Sequence, residues 1–532
     1  MSLDETRKPL PSDFDEDAAD LARLGVEKQE LKRNFNAWSL AFMCFCNNGV
    51  WEAFTASSAQ ALTSGGSSSM VYGYLLMSIG ALIISLCISE YASMIPTAGG
   101  QYHYVAYMSP PRFRRIFSWY AGWITTWAWV LSSVAGNFAT CMQISSYMIL
   151  FREGYVYERW HTAVTMLILM TLYLFASIFG IKYLHHTSFI AMAAHTVGFL
   201  AIIIYLLVHT NPRSSATYVF TNHSNLTGWE SDGVAWCIGL LAPAAAVVGW
   251  DSSTHMAEEM KNAARDLPKT MWITVLVTGV VTFPWVIALM FCIPDITAFL
   301  GGPVARLSPL VQLMYNVSGG SFSATVGMTV FVPVMGFTIA GPGCISATSR
   351  IIYSLAREGA FPPIFAKVNA TWNVPIYAIL VSYGLMATIP LIYIGNETAY
   401  YCFASSGAVV YIVGYCFPLG VRVIWGMEQS HLKKGPFTLG RFSKPLAIIS
   451  LVLCVFLVVF MCLPTMMPAT ALNANYAPAV LVFGSVFLPT IAWFAYGRKT
   501  YIGVTQHLSA RNGPEEDVTG QGQYIVEPKK FD

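Results

Sequence analysis

Leu240 to Pro268 reads LLAPAAAVVGWDSSTHMAEEMKNAARDLP, and the fold turns on how this stretch is read. It opens as apolar helix, with small residues from Ala242 to Val248. Gly249-Trp250-Asp251-Ser252-Ser253 then interrupts the pattern, and a helical segment carrying His255, Glu258 and Glu259 follows. A carboxylate deep in hydrocarbon is costly unless it faces a cavity or a partner, so Asp251 is a functional candidate. A polar helix end at the membrane surface accounts for Glu258 and Glu259, but not for Asp251. Discontinuous membrane helices use their freed backbone groups as ligands near the bilayer midplane.

Composition agrees with a lipid-embedded chain. Of 532 residues, 55% are hydrophobic and 11% charged, where soluble domains carry about 25% charged residues. Mean hydropathy is +0.53. The net charge of +2 gives no case for nucleic acid as a partner. No phosphate loop, zinc spacing or nucleophile elbow is present, so no catalytic residue, metal or cofactor is expected. The eleven cysteines fall in apolar spans, and the close pair Cys44 and Cys46 reads as packing. The polar first 34 residues lack the apolar core of a cleavable signal peptide and read as a disordered tail.

Twelve apolar spans follow, at about 38–62, 71–94, 116–150, 160–180, 187–208, 234–258, 269–293, 322–352, 375–394, 398–420, 445–464 and 477–497. With the N-terminus inside, the outside loops hold only Arg152, Arg159, Arg213 and Arg306 of the 30 basic residues. That asymmetry puts both termini in the cytoplasm under the positive-inside rule. Glycosylation sequons at Asn222, Asn225, Asn316 and Asn396 all fall in outside loops, and the one at Asn369 falls inside.

The first span carries an interruption of its own, Cys46-Asn47-Asn48-Gly49-Val50-Trp51-Glu52. Asn and Gly tolerate non-helical backbone. GVWEAFTAS from Gly49 echoes VGWDSSTHM from Val248: each has a Gly, then a Trp, an acid and small polar residues. Interrupted segments at matching places in two halves point to a transporter site at the repeat interface. Half-helix N-termini offer N–H groups to a substrate carboxylate. Glu52 and Asp251 can meet an amine or titrate during transport, and Trp51 and Trp250 can cover a cationic head group. Packing is the competing reading for both tryptophans.

Three motifs carry a family resemblance: PTAGGQY at Pro96–Tyr102, EEMKNAARDLP at Glu258–Pro268 and ATSRIIYSLAREGAFP at Ala347–Pro362. Together they resemble the amino acid–polyamine–organocation superfamily, and within it the fungal amino acid/choline permeases that include GABA and choline carriers. The resemblance implies an all-α integral membrane fold of twelve helices with a five-plus-five inverted repeat and discontinuous helices one and six. Residues 35–233 would then form the first repeat and 234–420 the second, with two further helices in 421–497 and a cytoplasmic tail at 498–532. It also implies alternating access and, commonly, proton-coupled uptake across the plasma membrane. Carried over, the substrate site comprises Asn47, Asn48, Gly49, Val50 and Trp51, with Val248, Gly249, Trp250, Asp251 and Ser252. Many relatives have a Lys in helix five, thirteen residues after the Lys of a GxK-type motif. Here Gly180-Ile181-Lys182 matches the motif and His195 stands at the later position. Imidazole titrates near physiological pH, which makes His195, with Asp251, a candidate for proton coupling. A satisfied core histidine is the competing reading.

Gly336 to Ser346 makes span eight small and polar, as close packing or a cavity wall requires. Glu90 and Pro96–Gly100 end span two at the expected inner gate, and Tyr400 to Ser406 suits an outer vestibule. The expected function is a secondary transporter for a small amino acid or an amine such as GABA or choline, with protons and the bilayer as its other partners. A non-transporting nutrient sensor and a polyamine carrier are the alternatives. Tails of about 35 residues are short for a sensor. No ring of like charges supports a channel, and no catalytic constellation supports an enzyme.

Overall fold

The computed structural model describes Leu24, Leu31 and residues 33–503, apart from 427–431, 433, 471 and 472. The expected tails at 1–34 and 498–532 therefore lie mostly outside the described residues. Leu24 and Leu31 are both buried, and the Tyr107 hydroxyl donates to the Leu24 carbonyl at 2.7 Å.

Among the described residues the protein is helical, and nine stretches are long and apolar enough to cross a membrane. Ala37–Met94 has 58 residues, where a single crossing needs about 20. Its backbone leaves helical geometry at Gly49 and again at Gly66. Pro111–Phe151 is a further helix of 41 residues, about 60 Å at 1.5 Å per residue. Its Trp119 donates to the Pro489 carbonyl at 2.9 Å and packs edge-on against Trp493 and Tyr501.

The helices keep buried hydroxyls satisfied within themselves. Thr125 donates to the Ala121 carbonyl, Ser146 to Met142, Thr274 to Thr270 and Thr278 to Thr274, all at 2.7–2.8 Å. In hydrocarbon no water can do this. The first helix, Ala37–Asn48, begins on a reciprocal cap in which the Asn36 side chain accepts from the Ser39 N–H. Ile168, Ile190, Ile204, Val280 and Val452 are exposed, an outward apolar face that suits lipid.

The sixth span is expected as helix with an interruption and is found in pieces. Asp232–Gly239 and Leu241–Ala246 lead into non-helical backbone from Val247 to Asp251. Ser252–His255 and the 3-10 turn Ala257–Glu259 follow, and Ala263–Phe291 is the next long helix.

Two ends of the molecule gather different loops. At one, the Gly66 turn packs on Asn222 and Ser224, and Gly228 on Met467. At the other, Arg357 pairs with Glu258, Arg350 with Glu259 and Arg422 with Glu90. Phe35 joins this end through backbone bonds to Glu259 and Lys261, both at 3.1 Å.

Candidate functional site

The first break is a single residue. Gly49 is left-handed, with φ 46° and ψ 48°, a region that costs a residue with a Cβ about 1 kcal/mol or more. Asn47 and Asn48 remain helical before it, and Val50, Trp51 and Glu52 are helical after it. The expected unwinding of that whole run narrows to Gly49. The helical ladder all but bridges the gap, because the Gly49 N–H reaches the Phe45 carbonyl and the Ala53 N–H reaches the Gly49 carbonyl.

The second break lies against the first. Gly249 has φ 88°, and a Cβ placed there would sit 3.4 Å from Asn48 Oδ1 and 3.9 Å from the Tyr411 hydroxyl. Ser252 donates to Cys44 Sγ at 3.1 Å, a second link between the broken segments. Asn47 turns toward span eight, where Cys344 Sγ donates to its Oδ1 at 3.5 Å. Gly343 there would put a Cβ 2.7 Å from the same oxygen, so any larger residue displaces Asn47. Small residues in this part of span eight thus permit close packing beside the break.

Asp251 is 0% exposed and fully engaged. Tyr415 donates to Oδ1 at 3.0 Å, and the Gln101 amide donates to Oδ2. His255 Nε2 lies 3.6 Å from Oδ2, while its Nδ1 faces the Ala98 carbonyl at 3.1 Å. A carbonyl only accepts, so Nδ1 carries a proton and Nε2 presents a lone pair to the carboxylate unless one further proton is held between them. Trp250 stacks on Tyr415 at 5.1 Å and 17°. Trp129 stands edge-on to both His255 and Tyr411.

Glu52 and His195 meet, though they come from different spans. Glu52 Oε1 is 3.4 Å from His195 Nε2, and the Glu52 side chain is 14% exposed. Its Oε2 is buried with no hydrogen-bond partner, 3.4 Å from where a Cβ on Gly49 would be. Trp51 donates its indole N–H to the same His195 Nε2 at 2.7 Å. That bond requires a lone pair on Nε2 and so describes a neutral imidazole. Trp51 itself is 1% exposed, wedged against Trp285, Phe199 and Phe331. Val50 lies in that same apolar cluster, and Val248 packs against the larger core. The two tryptophans therefore part company: Trp51 faces helix five, and Trp250 faces Tyr415.

Beyond the broken span, Glu258 takes both Arg357 terminal nitrogens at 3.0 and 2.8 Å and accepts from the Ala98 N–H at 3.2 Å. Arg357 and the Ala98 N–H thus satisfy a carboxylate that burial alone would penalise.

Four residues in contact with these groups are not assigned to the site by the sequence reading: Gln101, which lies in the PTAGGQY motif, Tyr411, Tyr415 and Trp129 of the Trp-rich third span. His255 was legible as a partner, since its i,i+4 spacing from Asp251 puts both on one helical face. The tyrosines carried no such signal, because they come from Glu397–Trp425, far along the chain. Of the sequons, Asn316 and Asn396 are exposed, while Asn222 and Asn225 are half-buried. The Asn225 amide donates to the Trp229 carbonyl at 2.9 Å. Among the described residues no group of three or more His, Cys, Asp or Glu is placed to hold a metal.

The family model described as amino acid permease matches residues 35–486. A choline transporter of Saccharomyces cerevisiae is 27% identical, over 94% of this chain and 87% of its own length. Amino-acid permease 2 of Neurospora crassa is 25% identical, over 90% of this chain and 87% of its own. A putative polyamine transporter of Candida albicans is 24% identical, over 95% of this chain and 91% of its own.

Proposed function

The chain belongs to the amino acid permease family of the amino acid–polyamine–organocation superfamily, and from that premise we propose a secondary active transporter that imports a small amino acid or amine, such as GABA or choline, by alternating access. Membership makes it an integral membrane permease-type transporter and not an enzyme. The names of its relatives span choline, amino acids and polyamines, so the substrate is the open part.

One observation carries the reading. Two helix breaks, about two hundred residues apart in sequence, stand with Asn48 against Gly249, and a carboxylate follows each. Paired discontinuous helices at a repeat interface are the arrangement by which transporters hold substrate and ions. In this proposal Ala37–Met94 crosses twice, on either side of Gly66. Pro111–Phe151 and the broken segment Asp232–Glu259 add to the other eight stretches to give twelve crossings. Residues 35–233 and 234–420 are the two inverted repeats. The substrate lies between Asn47 to Glu52 and Val248 to Ser252.

The proton step is placed at Asp251 and His195. Asp251 and His255 face each other with room for one shared proton. Protonation of His195 at Nε2 would expel the Trp51 N–H and set a positive ring 3.4 Å from Glu52. The basic end, with Arg350, Arg357 and Arg422, is proposed as the cytoplasmic face of a plasma-membrane protein.

The test is uptake of radiolabelled GABA, choline, a neutral amino acid and spermidine, in transporter-deficient cells at acidic and neutral pH. Acid-stimulated uptake of one compound is the expected result. Uptake that survives collapse of the proton gradient overturns the coupling. A protein confirmed at the surface that moves none of the four moves the reading to the nutrient sensor, whereas spermidine alone names a polyamine carrier.

A further inference from the structure

The two carboxylates at the breaks are not equally available to a substrate. Asp251 is enclosed, with Tyr415 and Gln101 donating to its two oxygens. Glu52 holds Oε2 at the first break with no donor. Among the described residues the only basic group within 4 Å of Glu52 is His195. As placed, that imidazole spends its Nε2 lone pair on Trp51 and carries no charge. The guanidiniums of Arg350 and Arg357 are committed to Glu259 and Glu258 at the basic end.

At the second break, a Cβ on Gly249 would sit 3.9 Å from the Tyr411 hydroxyl, and Tyr411 packs edge-on against Trp129 at 5.6 Å. Trp129 is 2% exposed, and its indole N–H is buried with no hydrogen-bond partner. An unbonded carboxylate oxygen beside the first break and aromatic side chains beside the second, which lies against the first, are the groups that attract an onium ion. With Glu52 ionised, a substrate carboxylate would meet it as a like charge in a low-dielectric setting, with no fixed cation to offset it.

Building on the transporter reading, we infer that the substrate is a small organic cation that carries no carboxylate, with Glu52 as the residue that binds its ammonium group. Glu52 stands at the start of the second half-helix, and its own carboxylate takes the place that the carboxylate of an amino acid would need. Choline, ethanolamine and diamines fit this chemistry. Betaine, glycine and GABA do not.

The experiment uses matched pairs that differ in the carboxylate: choline with glycine betaine, ethanolamine with glycine, and putrescine with GABA. Uptake by the full-length wild-type chain in transporter-deficient cells is measured beside thermal stabilisation of the purified protein, at one neutral pH. In at least one pair the carboxylate-free member is taken up, and stabilises the protein, at a concentration at least tenfold lower than its partner. Betaine, glycine or GABA equalling or surpassing its partner overturns the cation assignment and leaves the transporter reading standing. No uptake and no stabilisation by any of the six overturns both. Glu52→Gln sharpens the residue assignment, because the selectivity ratio within the pair is expected to fall toward one. An unchanged ratio in a variant that reaches the surface removes Glu52 from the site. The wild-type pairs decide the substrate class even where that variant fails to fold.

Discussion

At the first break the backbone departs from helix at Gly49 alone and the helical ladder nearly closes over it, whereas at the second it departs over five residues, from Val247 to Asp251. The side chains reverse this order. Glu52, beside the narrow break, keeps an unbonded oxygen, while Asp251, beside the wide one, is bonded at both oxygens. Two stretches that echo each other in sequence thus hold their acids differently. The first keeps an unbonded carboxylate oxygen on a nearly continuous helix. The second ties a loosened backbone to Gln101 and Tyr415, elements that pack toward the basic end. In the proposed transporter, the acid placed where the backbone is already free would couple substrate to gate movement, and the one placed on rigid helix would be the ligand.

The strongest way to break this comparison is at Asp251. Asp251→Ala is expected to reduce uptake to background with surface expression retained, and Asp251→Asn to do so while keeping acceptor geometry for Tyr415. Normal uptake by surface-localised Asp251→Ala, read against surface biotinylation, would remove Asp251 from the mechanism.

Next in size is Arg357→Ala, which leaves Glu258 buried without its cation and is expected to cost about 3 kcal/mol. Thermal unfolding of the purified protein at neutral pH is the measurement. A lower midpoint is expected for Arg357→Ala, and an unchanged one would show that the pair adds nothing.

Gly49→Ala and Gly249→Ala test whether each break needs its left-handed glycine. Each substitution carries a strain of about 1 kcal/mol or more, hence roughly a tenfold loss of uptake. The loss should be larger at Gly49, where intact helix on both sides leaves no slack. A greater loss at Gly249 would invert the comparison. Trp51→Phe removes one donor to His195, worth about 1 kcal/mol, and should change uptake less than tenfold. A complete loss would mean that the indole touches substrate. The smallest effect is at Asn396→Gln, which should reduce a glycan-dependent gel shift with uptake unchanged. A wild-type protein that shows no shift on deglycosylation, with Asn316 and Asn396 both exposed, would count against placing their loops outside.

Much of the site was legible because its signals are local. Gly followed by Trp and an acid, set in apolar helix, announces a break through backbone preference and desolvation cost alone. The same locality makes i,i+4 partners such as Asp251 and His255 readable. Other contacts are set by helices that meet only after folding. His195 was singled out for its position, yet its bond to Trp51 and its contact with Glu52 join residues 144 and 143 positions apart.

By itself, then, the sequence determined an integral membrane helical protein, the places where helices one and six break, and the family, since hydropathy, glycine and motif content are properties of short segments. Tertiary structure alone decided how far each break opens, that Asn48 lies against Gly249, that Trp51 is packed away from Trp250, and that Asp251 is saturated while Glu52 is not. Those outcomes depend on which distant donors reach each carboxylate, and donor geometry exists only once the helices are packed.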